Sequence, residues 1–262
     1  MKQTKCLFWD FDGTLATRPG MWGGCLIDLL DSELPGHGLT RDLLDPHLQN
    51  GFPWHEHETL HPHLNDPIAW WAHLDTILAG ALARAGLSLP QASGLISGFR
   101  DLYLAPSSWH LFPDALDALT SATDAEWRNV IVSNHTPELS TLVSSLGLSG
   151  LVEVVVTSAV VGAEKPNAAL FRAALDLVDG PEVVWMIGDN PITDIAGAAR
   201  LGIPGVLVRA PQFTADYIDL INRSWGSPNW PDWQDHCRYR AENALAAIQL
   251  VGREVERLSR SS

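Results

Sequence analysis

Two aspartates separated by one residue, Asp10 and Asp12, stand at the end of a short apolar run and directly before Gly13-Thr14. Further along come Ser133-Asn134, Lys165, and Asp189 with Asp194, each just past another apolar run or in the loop after it. If these residues gather at one point, their carboxylates repel one another unless a cation sits between them. An oxygen-only donor set suits Mg²⁺, which binds through a few carboxylates and keeps waters and a phosphate in its shell. A lysine ammonium and a serine hydroxyl facing the same point supply donors for the remaining phosphate oxygens. Together these are the parts of a phosphoryl-transfer site.

The elements that must position these residues follow from the hydrophobic pattern. Five runs read as strands: Lys5–Trp9, Asn129–Val132, Val152–Thr157, Val183–Ile187 and Gly205–Val208. Each is continuously apolar rather than alternating, as in a strand buried on both faces. Helical segments follow the second, third and fourth runs. Pro137 suits the opening of one reaching about Leu146, Asn167 caps another over Ala168 to about Val178, and Thr193 or Asp194 begins a third that closes at Gly202. The pattern predicts an α/β fold, a doubly wound parallel sheet of Rossmann-like type. In such sheets ligands collect beyond the carboxyl ends of the strands, where the polar residues fall.

Residues 16–109 interrupt this rhythm. Helices are expected over Asp66–Gly86 and Pro90–Leu104, with a loop-rich stretch between Pro35 and Pro67, which together read as a helical cap inserted into a core of residues 1–15 and 110–209. Arg18 and Trp22, just past the first aspartates, are candidates for the entrance to the site. The cap also carries Trp54, His55, His57, His61, His63, Trp70, Trp71 and His73. Pro62 and the lack of a helical HxxxH spacing weaken a zinc reading. A solvated loop with partly buried aromatics is the preferred expectation, a substrate-facing lid the next. Residues 210–262 contain Trp225, Trp230 and Trp233 and then a helical segment, about Arg240 to Leu258; this extension is expected to pack on the core or on a partner.

The chain has 262 residues, 46% hydrophobic and 18% charged, which is ample for a packed core. Lys+Arg is 17 against Asp+Glu 31, a formal net charge of -14. A phosphate-backbone binder needs a basic face, so nucleic acid is disfavoured as a partner, as is an anionic membrane surface. No apolar run approaches the roughly 18–20 residues that span a bilayer. The basic start is followed by too few apolar residues for a signal peptide. Cys6, Cys25 and Cys237 are scattered and offer no disulfide framework. The expectation is a reduced, cytoplasmic protein; oligomeric state is not encoded.

The stretches Phe8-Trp-Asp-Phe-Asp-Gly-Thr-Leu15, Val130-Ile-Val-Ser-Asn134, Lys165-Pro166 and Ile187-Gly-Asp-Asn-Pro-Ile-Thr-Asp194 occur in the order found in the haloacid dehalogenase-like (HAD) superfamily of hydrolases. The chain resembles that superfamily over its sheet segments. The resemblance implies that Asp10 is a nucleophile forming an aspartyl-phosphate and that Asp12 is a general acid and then a general base. It also implies that Thr14, Ser133, Lys165 and the backbone N–H of Asn134 serve the nucleophile and the phosphoryl oxygens. Mg²⁺ would be held by Asp10, the carbonyl of Asp12 and Asp189, with Asp194 acting directly or from behind; Asp194 reads equally as a helix N-cap. Only three of the basic residues are lysines, and Lys165 is the one in the interior of the sequence. That choice suits a site wanting a compact ammonium.

Asp12 separates this pattern from resembling dehalogenases, which lack the second aspartate and need no metal. A phosphatase of a small phosphorylated metabolite is the leading expectation. A phosphomutase or other phosphotransferase shares these residues, and a non-catalytic phosphate- and Mg²⁺-binding protein is the contrasting possibility.

Overall fold

The computed structural model describes residues 4–224 and 232–260. In chain order the strands are β1 (Lys5–Trp9), β2 (Ala16–Thr17), β3 (His110–Leu111), β4 (Arg128–Ser133), β5 (Val154–Thr157), β6 (Val183–Gly188), β7 (Gly205–Val208) and β8 (Tyr239–Ala241). Six of them form one sheet in the order β5-β4-β1-β6-β7-β8, every neighbouring pair parallel. Helices cover both faces, so the doubly wound α/β expectation holds. Successive side chains of a strand point to opposite faces. β1 therefore sends Cys6 and Phe8 into one core with Val130, Val132 and Met186, and Leu7 and Trp9 into another with Ile131, Trp185 and Ile187. Burial on both sides is why these runs lack alternation.

Two boundaries differ from the sequence reading. The segment from Arg240 was expected to open a helix, but Tyr239–Ala241 pairs with β7 as a sixth strand. The helix starts only at Ala244, where the Asn243 side chain accepts the Ala246 N–H at 2.9 Å. The expected helix over Pro90–Leu104 is divided at Ser97-Gly98 into Leu89–Ile96 and Phe99–Leu104. Trp233 is buried against Phe213, near Ile192 and Leu207. Trp225 and Trp230 lie outside the described residues.

Between β1 and β4 the chain leaves the sheet and returns through a two-stranded antiparallel ribbon, Thr17 opposite His110 and Ala16 opposite Leu111. Beyond it lie the helices Met21–Glu33 and Pro67–Arg84 and the two shorter ones named above, with brief 3₁₀ turns at Asp45–Leu48, Pro53–Glu56 and Pro62–Leu64. The long helix is started by Asp66, whose carboxylate accepts the N–H groups of Ile68 and Ala69, with Pro67 in the first turn. Hydrogen bonds tie this helical segment to the sheet layer, among them one from Asn167 Nδ2 to the His57 carbonyl at 3.2 Å. Trp71 Nε1 and Arg100 both donate to the Glu138 carboxylate, and the His61 N–H donates to the Gly162 carbonyl at 2.7 Å. Among the described residues no helix is long and apolar enough to cross a membrane.

Candidate active site

The turn after β1 is fixed by backbone. Asp10 N–H still bonds the Ile187 carbonyl of β6 at 2.9 Å, and the Phe11 carbonyl then accepts the N–H groups of Thr14, Leu15 and Ala16. Phe11 itself is buried against Trp109 and His135. With the intervening residue turned inward, Asp10 and Asp12 both reach the cavity at the carboxyl ends of the strands. Gly13 has φ +80°, and a Cβ there would collide with the Asp189 carboxylate. Only glycine lets this turn and the β6 turn come so close.

Ser133 ends β4 and donates its hydroxyl to Asp10 Oδ1 at 2.8 Å. Lys165 Nζ donates to the same Oδ1 at 2.7 Å and to Asp194 Oδ1 at 2.6 Å. Two donors thus hold one oxygen of Asp10, and among the described residues Oδ2 has no hydrogen-bond partner. Lys165 is buried. Burial alone would push its ammonium toward the neutral form, but the carboxylates of Asp10 and Asp194 outweigh this and hold it well above the usual lysine range. Asn134 does something the sequence did not suggest. Its Oδ1 accepts the Lys165 N–H at 2.6 Å and its Nδ2 donates to the Lys165 carbonyl at 2.9 Å, clamping the lysine's backbone from both sides.

The β6 turn differs from the expected helix start. Asn190, not Thr193 or Asp194, is the cap, accepting the N–H groups of Ile192 and Thr193. The turn that follows, Pro191–Ala196, is a wide π turn, a local geometry common at functional sites. Asp194 is therefore freed from capping: Oδ2 accepts the Asn190 N–H at 2.9 Å while Oδ1 meets Lys165. Gly188 leaves room for it, since a Cβ there would strike its carboxylate. Burial, then the nearby charge of Asp10, raise the Asp194 carboxyl to about 6. Thr14 is fully buried and its hydroxyl faces Asp189 Oδ1 at 3.5 Å rather than the cavity.

Asp10, Asp189 and Asp194 each offer an oxygen within 4.8 Å of the others. Burial and the charges of Asp10 and Asp194 raise the Asp189 carboxyl well above its ordinary value. Three crowded carboxylates with hard oxygen donors fit a divalent cation of the Mg²⁺ class. The Asp12 carboxyl lies outside this trio. The His residues of the cap are in no such cluster of three among the described residues.

Asp12 Oδ1 is buried with no hydrogen-bond partner, and so is His135 Nε2, 3.8 Å away. His135 Nδ1 accepts the Thr136 N–H at 2.8 Å, so Nε2 carries the ring proton. Burial pushes the imidazole down to about 3, keeping it neutral. Burial, Asp10 and Asp189 together push the Asp12 carboxyl up, toward its protonated form. His135 was missed from sequence, although its position directly after Ser133-Asn134 was a usable signal.

Above these residues lies a cavity of about 270 Å³ whose far wall is Met21, Trp22 and Trp54 from the inserted segment. Trp22 meets the expectation of reaching the entrance, whereas Arg18 is buried and ion-paired with Asp28 at 2.8 Å. Trp54 is half-buried, as the loop reading expected, and it also lines the cavity, as the lid reading expected. Its ring stacks on Phe52 at 4.4 Å and on Trp22 at 5.6 Å, which draws the loop into the wall.

The haloacid dehalogenase-like hydrolase family profile matches residues 4–202, and the chain belongs to that family. It is 35% identical over 132 residues to a phosphoglycolate phosphatase of Caulobacter vibrioides, a match covering 49% of this chain and 55% of that one. It is 31% identical over 148 residues to a phosphoserine phosphatase of Thermus thermophilus, covering 55% and 58%. The chain thus spans little more than half the length of these curated relatives. In fold it is similar to the L-2-haloacid dehalogenase of Xanthobacter autotrophicus, with a TM-score of 0.64, 21% identity, and 95% and 98% of the two chains covered.

Proposed function

We propose that this hydrolase is a Mg²⁺-dependent phosphomonoesterase acting on a small phosphorylated metabolite through an aspartyl-phosphate at Asp10. The observation that carries the reading is the pair of donors, Ser133 and Lys165, on one oxygen of Asp10 with Asp12 beside it in the same cavity. Asp10 attacks phosphorus with a carboxylate oxygen, forming a P–O bond as the bond to the leaving oxygen breaks. Asp12, whose carboxyl burial and the charges of Asp10 and Asp189 push upward, gives that oxygen its proton. In the second half-reaction Asp12 takes a proton from water as the water oxygen attacks phosphorus, releasing phosphate and regenerating Asp10. Lys165, Ser133 and the backbone N–H of Asn134 stabilise the charge on the phosphoryl oxygens. Asp10, Asp189 and the Asp12 carbonyl would hold Mg²⁺, with Asp194 as a fourth oxygen donor or as the anchor of Lys165. The ion would supply charge neutralisation at the transferring group. Asp12 favours phosphate over halide chemistry, because displacement of halide from carbon needs no proton donor.

The test is turnover of p-nitrophenyl phosphate by the purified protein with and without Mg²⁺. Turnover that needs the ion and disappears in Asp10→Asn supports the reading. Absence of turnover with intact Mg²⁺ binding makes the protein a non-catalytic binder instead.

A further inference from the structure

The floor of the cavity is charged and its roof is not. Among the residues that line it, the only cation is Lys165, and that ammonium is already shared between Asp10 and Asp194. The arginine nearest in sequence to the roof, Arg18, is turned away: it is 1% exposed, bound to Asp28 and to the carbonyls of Pro19 and Met21. Arg100 is bound to Glu138, and Arg209 to Asp114. A leaving group bearing a carboxylate would meet no counter-charge in this roof and would lose its hydration against apolar rings.

What the roof offers is flat and apolar. Trp22 is stacked on Tyr103 at 4.2 Å with an interplanar angle of 12° and on Phe99 at 5.9 Å. Trp54 is stacked on Phe52. The wall begins at Gly20 and Met21, which have φ of 67° and 47°. A methionine in the left-handed region is uncommon and marks a turn held by its surroundings. The rings are thus fixed before any ligand arrives, and a fixed aromatic wall binds a flat partner with little ordering cost. The cavity, at about 270 Å³, is slightly smaller than the roughly 300–1,000 Å³ usual for ligand pockets, which favours a leaving group of about one ring.

We infer that the substrate is a phosphate monoester whose leaving group is uncharged and presents a flat apolar face, an alcohol carrying about one aryl or heteroaryl ring, and not a carboxylate-bearing one. Resting on the phosphatase reading, this assigns Met21, Trp22 and Trp54 as the specificity wall. It sets the protein apart from relatives named for phosphoglycolate and phosphoserine, both of which carry a carboxylate.

The experiment compares kcat/KM for benzyl phosphate, ethyl phosphate and phosphoglycolate with Mg²⁺. All three release an alkoxide, so leaving-group strength does not dominate the comparison. Benzyl phosphate is expected to exceed ethyl phosphate by about tenfold, from ring burial and stacking, and phosphoglycolate by more. Trp22→Ala and Trp54→Ala should each lower the benzyl-to-ethyl ratio severalfold, and Trp22→Phe should keep most of it. Phosphoglycolate turned over as well as benzyl phosphate would overturn the inference, as would a ratio unmoved in both alanine variants. If no monoester is hydrolysed, the phosphatase reading fails and binding alone decides. Calorimetry with Mg²⁺ should then find benzylphosphonate tighter than phosphonoacetate, and the reverse order would overturn the wall's assignment.

Discussion

The two walls of the cavity were built by different means. The floor comes from four loops of one sheet, and its side chains are locked by charge-assisted hydrogen bonds of 2.6–2.8 Å among Asp10, Ser133, Lys165 and Asp194. The roof comes from the first turn of the helix Met21–Glu33 and from the 3₁₀ turn Pro53–Glu56, and is held by ring stacking. Misplacing one floor residue leaves a buried charge unpaired, which is costly, so the floor tolerates little variation. Misplacing a roof ring costs contact area and little else, so the roof can be rebuilt for a new leaving group while the chemistry below it stays the same.

If that division is right, changes in the floor should act on the rate of chemistry. Asp12→Asn is expected to lower kcat by about 10²–10⁴-fold, the range for losing a positioned proton donor. Steady-state kinetics on p-nitrophenyl phosphate check this, and a near-normal kcat would move Asp12 out of the proton-transfer role.

His135 tests how far the floor extends behind the aspartates. Leucine at this position removes the Nε2–H that stands 3.8 Å from Asp12 Oδ1, and kcat is expected to fall about tenfold with KM little changed, the scale of one neutral hydrogen bond made when the two groups close during turnover. His135→Gln, which returns an N–H donor, should recover most of the loss. A leucine variant with wild-type kcat and an unshifted pH–rate profile would reduce His135 to packing.

A smaller effect concerns the seam between the walls. Glu164 is buried beside Lys165, its Oε2 has no hydrogen-bond partner, and burial raises its carboxyl to about 7. A carboxyl raised above its unfolded value near 4.5 binds its proton more tightly in the folded protein. Its stabilising effect is therefore complete below about pH 4.5 and is lost as the pH rises through 7. Glu164→Gln should match the parent at pH 4.5 and be more stable at pH 8, by on the order of 1–3 kcal/mol in urea unfolding. An equal difference at both pH values would show that the substitution acts through packing instead.

The contrast also explains what could be read from sequence. Asp10, Asp189 and Lys165 were legible because each is fixed by its distance from an apolar strand, and strand ends converge by topology. Asp194 was ambiguous, since an aspartate early in a helix caps it more often than it meets a lysine. The ambiguity closes only with Asn190 seen in the capping position. β8 was hidden because Tyr239–Ala241 is a short edge strand with an exposed arginine at its centre, not a continuous apolar run. The roof was only partly legible: Trp22 was a candidate for the entrance, but its pairing with Trp54 was not. Trp22 and Trp54 share no periodicity, and only the packing of Phe52, Phe99 and Tyr103 brings them together.

The most direct measurement asks whether a covalent bond to phosphorus forms at Asp10. The protein is mixed with Mg²⁺ and p-nitrophenyl phosphate, quenched during turnover, treated with borohydride to reduce any acyl phosphate, and digested for mass spectrometry. Conversion of Asp10 to homoserine, dependent on substrate and absent at Asp12, is the predicted result. Sustained turnover with Asp10 unmodified, or with the label on another residue, would contradict the account.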